Sequence, residues 1–381
     1  MRTPVNAAVL TKPGEPLEFT ELLLDEPLAH EVMVRTERVG LCHSDLHYVN
    51  GSLAISTPAV LGHEVSGTVE QVGSSVTRID PGDRVVATVT PSCGLCGACL
   101  RGRPTQCERT EQVRARPRPK LITADGDDVE VLGGIGAFSD AFVVDGASLA
   151  TVASTMPPEV ACLLGCCVTT GIGAVVHGAR ITPEDTVVVI GCGGVGIAAI
   201  QGARLAGARK IVAVDVVAAK LDLARNFGAT DVVVAGSDPS AAIALIKELV
   251  PGGVTQVIEA VGRRETAELA FAVLAPAGTA TILGLMPQGE RLEISADALV
   301  YGDRVLQGAY MGANRFLSDI AVFTDHYDAG RLDLDAMVTD VLPFDRINDG
   351  FALMSDPMTI RIVLDLTQGR APRELRRVTS A

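Results

Sequence analysis

The sequence predicts an α/β protein in two parts, a β-rich lobe and a doubly wound parallel-sheet domain. Three observations predict it. Up to about residue 165, short β-like runs are cut by Gly and Pro, the pattern of a mostly antiparallel lobe. From about residue 168, short apolar runs alternate with helical stretches, as in βαβ units. A chain of 381 residues is also long for a single core.

In the first part, residues 32–36, 66–72 and 84–88 read as strands. Residues 112–130, Arg- and Pro-rich and then acidic, read as an irregular surface excursion. In the second part, the runs 186–190, 210–214, 231–234, 256–258 and 280–283 suit buried parallel strands. A run over 305–311 reads as the sheet's edge strand. A helix is expected over 317–328 and a last apolar run over 361–364.

Composition narrows the function. The formal charge of −14 argues against nucleic acid and anionic membrane as partners. No apolar stretch is long and clean enough to span a bilayer, and the N-terminal residues lack a signal-peptide core. A cytoplasmic, reducing location is expected. Nine cysteines there read as metal ligands and buried thiols.

The strand at 186–190 runs into Gly191-Cys-Gly-Gly-Val-Gly196, and a helical stretch follows over 197–206. Asp215 ends the next strand. In that context G-x-G-x-x-G points to a dinucleotide site. Gly191 permits the tight turn, Gly193 the approach of a pyrophosphate, and Gly196 close packing of helix on strand. Asp215 suits the ribose hydroxyls of NAD and repels the extra phosphate of NADP. Val216 and Val217, which follow it, are not basic.

Cys93, Cys96, Cys99 and Cys107 form the pattern C-x2-C-x2-C-x7-C. Four thiolates are a closed tetrahedral set for one structural zinc. Elsewhere, Gly40-Leu-Cys-His-Ser-Asp-Leu-His47, Gly62-His-Glu64 and Gly165-Cys-Cys167 supply Cys, His and Cys, which leaves one zinc position open for chemistry. In the third fragment, Cys166 and Cys167 both stand as possible ligands. Asp45 and Glu64 lie close enough in sequence to support such ligands. Ser44 and His47 form a hydroxyl–imidazole pair able to carry a proton.

Together these fragments, with Thr170-Gly-Ile-Gly173 and Val341-Leu-Pro-Phe344, resemble the zinc-dependent medium-chain alcohol dehydrogenases of the medium-chain dehydrogenase/reductase superfamily. The resemblance runs over essentially the whole chain. It implies a GroES-like catalytic domain from 1–167 and 312–381, with a Rossmann NAD-binding domain, 168–311, inserted between them. It implies two zinc ions per chain. Cys42, His63 and Cys166 would hold the catalytic one, and Cys93, Cys96, Cys99 and Cys107 the structural one. Glu64 would stand behind the catalytic zinc, Asp45 would orient His63, Ser44 would touch the substrate oxygen, and His47 would end the proton relay. Around NAD it implies the glycine turn with Gly194 and Val195, His43 and Arg361 at the pyrophosphate, Thr170 against the nicotinamide, and Lys220 with Asp215 at the ribose. The implied reaction interconverts an alcohol and its aldehyde or ketone by hydride transfer.

Two rival functions are expected to be distinguishable. One is a thiol-dependent formaldehyde dehydrogenase acting on an S-hydroxymethyl adduct. In the glutathione-dependent branch the relay His is usually absent and an Arg follows the last structural cysteine, whereas this chain has His47 and Glu111. The other is an NAD- and zinc-binding redox sensor, which would need no proton relay. Cys162, Cys167 and Cys192 are expected to be free buried thiols. Leu132 is a candidate for the substrate pocket. A homodimer is expected through the edge run, with Leu306 and Tyr310 near the seam.

Overall fold

The computed structural model describes residues 2–236, 238–368 and 376–377. Near the N-terminus five strands close a small barrel: Thr3–Leu10, Glu18–Leu24, Ala59–Val60, Leu121–Ile122 and Asp128–Val131. Leu10, Leu22, Leu24, Leu121 and Val129 fill its interior. The last two strands fall in the stretch expected to be irregular surface. They are only two and four residues long, too short to show an apolar period, yet they close the barrel. The acidic residues between them form the connecting hairpin loop.

A second sheet forms around Glu31–Gly40. It pairs with Glu64–Val72 on one side, and with Ala141–Asp145 and Arg361–Asp365 on the other. The last apolar run of the sequence therefore joins the lobe that the N-terminus begins.

The third sheet is wholly parallel and has six strands: Thr186–Ile190, Lys210–Asp215, Asp231–Val234, Val254–Glu259, Leu274–Ile282 and Val305–Gly308. Counted along the chain, their order is 3-2-1-4-5-6. In such a sheet the ligand crevice lies outside the carboxyl ends of the strands, where the order reverses. The first strand shows why its sequence is apolar throughout. Val187 and Val189 pack into one core cluster, and Val188 and Ile190 into the cluster on the opposite face.

The helix after the glycine turn spans Gly194–Leu205, so it begins inside the motif. A Cβ on Gly196 would stand 1.7 Å from the carbonyl oxygen of Gly191, so only glycine lets the helix start this close to the strand. The buried helix Cys167–Gly173 packs on this helix and links the β-rich lobe to the parallel sheet. The helix expected over 317–328 spans Phe316–Asp328. The edge strand ends at Gly308, short of the expected residue 311. Met311, Gly312 and Ala313 all have positive φ, which stops the extended chain.

Among the described residues, no single helix is long and apolar enough to cross a membrane. The bent pair Pro158–Gly165 and Cys167–Ala179 has the length and composition, and it lies in the core shared by the two parts.

Candidate active site

Three fragments far apart in sequence meet between the β-rich lobe and the parallel sheet. Cys42 caps the short helix His43–Val49. His63 precedes the strand Glu64–Val72, and Cys166 precedes the helix Cys167–Gly173. Their ligand atoms lie within 4.8 Å of one another, and all three residues are buried.

Asp45 holds two of these fragments together. Its carboxylate accepts from the backbone N–H of Cys42 at 3.4 Å and of Gly62 at 3.1 Å. It also accepts from His63 Nδ1 at 3.1 Å. A carboxylate offers only acceptors to that ring, so Nδ1 carries the hydrogen and the Nε2 lone pair is left for a metal. The hydrogen bond to Cys166 holds the Cys42 thiol well below the usual thiol range, and the same bond with burial pushes Cys166 well above it. A seated thiolate beside a second sulfur and an oriented imidazole fits a zinc ion.

The structure resolves the two adjacent cysteines. Cys166 faces Cys42 and His63, whereas the Cys167 thiol donates to Glu64 Oε1 at 2.9 Å. Cys162, Cys167 and Cys192 are free buried thiols, as expected; the hydrogen-bond partner of Cys167 lies 103 residues away, so sequence could not show it. Burial pushes the Glu64 carboxyl up to about 7, against the pull of Arg361.

A cleft of about 660 Å³ opens over this cluster. Cys42, Ser44, His47, Cys166 and Thr170 line it. Ser44 Oγ lies 3.6 Å from Cys42 Sγ. His47 Nδ1 is buried with no hydrogen-bond partner among the described residues. His43, Arg361, Gly191, Gly193, Gly194, Val195, Asp215 and Lys220 also line the cleft. Gly196 lies beneath them, buried in its helix. Burial, with Arg361 nearby, holds His43 below the usual histidine range, so it meets a ligand as a neutral donor.

Gly193 has no protein atom within 4 Å of where a Cβ would stand, so the turn offers bare backbone to the cleft. The helix start behind it supplies N–H groups and a positive dipole end, which suits a pyrophosphate. Asp215 accepts from the N–H groups of Cys192 at 2.8 Å and Val217 at 2.9 Å. These two bonds fix the carboxylate and leave lone pairs for a ligand.

Leu132 packs on the core of the first lobe and does not line the cleft. Leu53, Leu285, Tyr310 and Met311 line it instead. Met311 reaches the cleft through the left-handed turn after the edge strand, which its residue types do not announce.

The other cysteine cluster lies apart from the cleft. Cys93, Cys96, Cys99 and Cys107 bring their sulfurs within 4.8 Å of one another. Backbone N–H groups of Cys96, Cys93 and Arg109 point at these sulfurs at 3.3–3.4 Å. The N–H of Cys99 is the main reason that the Cys96 thiol is pulled down to about 6. Four sulfurs in a backbone cage fit a closed zinc site.

Comparison with known proteins agrees with this geometry. Residues 28–154 match the alcohol dehydrogenase GroES-like domain, and residues 194–325 the zinc-binding dehydrogenase domain. A Mycobacterium tuberculosis protein named "Putative alcohol dehydrogenase D" is 37% identical over 365 residues, which cover 94% of this chain and 98% of that protein. This chain belongs to the zinc-dependent medium-chain alcohol dehydrogenase family. Among solved structures, an alcohol dehydrogenase zinc-binding domain protein from Burkholderia ambifaria matches the dehydrogenase with a TM-score of 0.91 and 29% identity, over 97% of this chain and 100% of that one. Benzyl alcohol dehydrogenase from Acinetobacter calcoaceticus matches with a TM-score of 0.87 and 29% identity, over 95% and 99%. The α/β fold of this dehydrogenase is the expected one, a GroES-like domain with a Rossmann domain, and its class is that of an alcohol dehydrogenase-type oxidoreductase.

Proposed function

We propose that this dehydrogenase interconverts an alcohol and its aldehyde or ketone with NAD and two zinc ions per chain. One observation carries the reading: Cys42 and Cys166, whose sulfurs cluster with His63, line the same cleft as the glycine turn and Asp215. The catalytic part is assigned to 1–167 with 312–381, and the cofactor part to 168–311. Zinc held by Cys42, His63 and Cys166 would supply Lewis acidity, which makes an alkoxide accessible near neutral pH. NAD would supply the hydride acceptor.

The chain's own residues do the rest. Asp45 fixes the His63 ring, and Ser44 accepts the alcohol proton for passage to His47. Thr170 packs on the nicotinamide, and Gly191, Gly193, Gly194, Val195 and the helix start receive the pyrophosphate with His43 and Arg361. Asp215 and Lys220 hold the adenosine ribose, and the charge of Asp215 disfavours NADP.

Cys93, Cys96, Cys99 and Cys107 hold the structural zinc. Cys99→Ser should therefore lower the melting temperature by at least about 5 °C with little change in kcat. Differential scanning calorimetry with a steady-state assay checks this, and an unchanged melting temperature would count against the site.

The exposed edge strand Val305–Gly308 has only one neighbour among the described residues. We assign it to the seam of a homodimer, with Leu306 and Tyr310 close by, and place the enzyme in the cytoplasm. Light scattering at low micromolar concentration should give the mass of two chains. A mass of one or four chains would refute the dimer.

The substrate is a small-molecule alcohol. A panel of aliphatic and aromatic alcohols, followed at 340 nm with and without small thiols, tests the class. Turnover without thiol is expected. Turnover of formaldehyde only in the presence of a thiol would favour the S-hydroxymethyl reading.

A further inference from the structure

We infer that Cys167 is a positioning residue for cofactor binding: its thiol holds Glu64 so that the Arg361 guanidinium stays beneath the glycine turn. The inference rests on the reading above, in which Arg361 faces the cofactor pyrophosphate.

Glu64 is fully buried. A buried carboxylate needs charge or hydrogen bonds around it. Glu64 has one charged neighbour, Arg361, and one hydrogen-bond donor, Cys167. Its Oε1 accepts from the Cys167 thiol at 2.9 Å and lies 3.6 Å from Arg361 Nε. Its Oε2 has no hydrogen-bond partner among the described residues. The rest of its side chain is confined by Gly40, where a Cβ would stand 3.0 Å from both Glu64 Cγ and Cδ. Among the described residues, the thiol is thus the one hydrogen-bond donor that fixes the carboxylate.

Arg361 depends on that carboxylate in turn. Its Nη1 donates to the Leu41 carbonyl at 2.7 Å, whereas Nε has no hydrogen-bond partner among the described residues. Its Nη2 lies directly under Gly194, where a Cβ would come within 2.2 Å of it. A chain of contacts therefore runs from Cys167 through Glu64 and Arg361 to the turn at Gly194. Cys167 does not line the cleft and so acts only through its partners. Without the thiol, Glu64 is free to close on Arg361, which draws the guanidinium away from the turn.

The test uses the zinc-loaded full chain and ADP-ribose, which carries the pyrophosphate and lacks the nicotinamide. Cys167→Ala and Cys167→Val both remove the donor, and Val keeps most of the volume. Both should raise the Kd for ADP-ribose roughly tenfold, a loss comparable to that of one hydrogen bond to a charged group. At saturating NAD, the fall in kcat should be smaller than the loss of ADP-ribose affinity, because the metal ligands are untouched. Cys167→Ser should bind ADP-ribose much as the wild type does, because its hydroxyl also donates. Arg361→Lys serves as the reference. If Arg361→Lys weakens ADP-ribose and neither Cys167→Ala nor Cys167→Val does, the inference is wrong and the cofactor reading stands. A weakening in Cys167→Ser equal to that in Cys167→Ala also overturns it, because packing would then explain the effect. If Arg361→Lys itself binds normally, the pyrophosphate reading falls and takes the inference with it.

Discussion

Cys42→Ser is expected to lower kcat/KM for alcohol oxidation roughly a thousandfold or more, a loss of about 4 kcal/mol of transition-state stabilisation. Cys42 is buried at the start of the helix His43–Val49, and its sulfur is the member of the cluster held most readily as a thiolate. A serine hydroxyl stays neutral and is a far poorer zinc ligand than a thiolate. The substitution is close in size, and the hydrogen bond from the backbone N–H at this position to Asp45 does not involve the side chain. Circular dichroism and ADP-ribose binding should therefore match the wild type while turnover is lost. Retention of full activity would remove Cys42 from the chemistry.

Asp215→Ala should reduce kcat/KM for NAD by about 10- to 150-fold, the value of hydrogen bonds to a charged group. NADP should be affected much less, so the preference for NAD narrows. The carboxylate is held by two backbone N–H groups and lies where the adenosine ribose is assigned. Its charge opposes a 2′-phosphate at close range. Initial rates with the two cofactors, at matched alcohol concentration, give the comparison. A native enzyme that reduces NADP as well as NAD would contradict the role given to Asp215.

Much of this site is legible in the sequence because its signals are local. The four cysteines fall within fifteen residues, and Gly191 to Gly196 stands between a buried strand and a helix. Asp45 is three residues from Cys42, so one short helix presents both. What is not legible depends on contacts across the fold. The choice between Cys166 and Cys167 turns on which sulfur the helix start aims at His63, and the partner of Cys167 is set by Glu64 on a distant strand. The barrel strands Leu121–Ile122 and Asp128–Val131 escape because pairing, not periodicity, defines them. Met311 in the cleft wall escapes because neither Met311 nor Ala313 is a residue type that signals a left-handed turn.

In the proposed reaction, zinc and NAD meet over one alcohol in this cleft. The most direct measurement is NADH formation at 340 nm by one preparation in three states: as purified with its zinc content determined, after removal of the accessible zinc by chelator, and after zinc is restored. Two zinc ions per chain are expected at the start, with loss of turnover as the first ion leaves, recovery when it returns, and ADP-ribose binding retained throughout. Unchanged turnover in protein shown to be free of metal would contradict this.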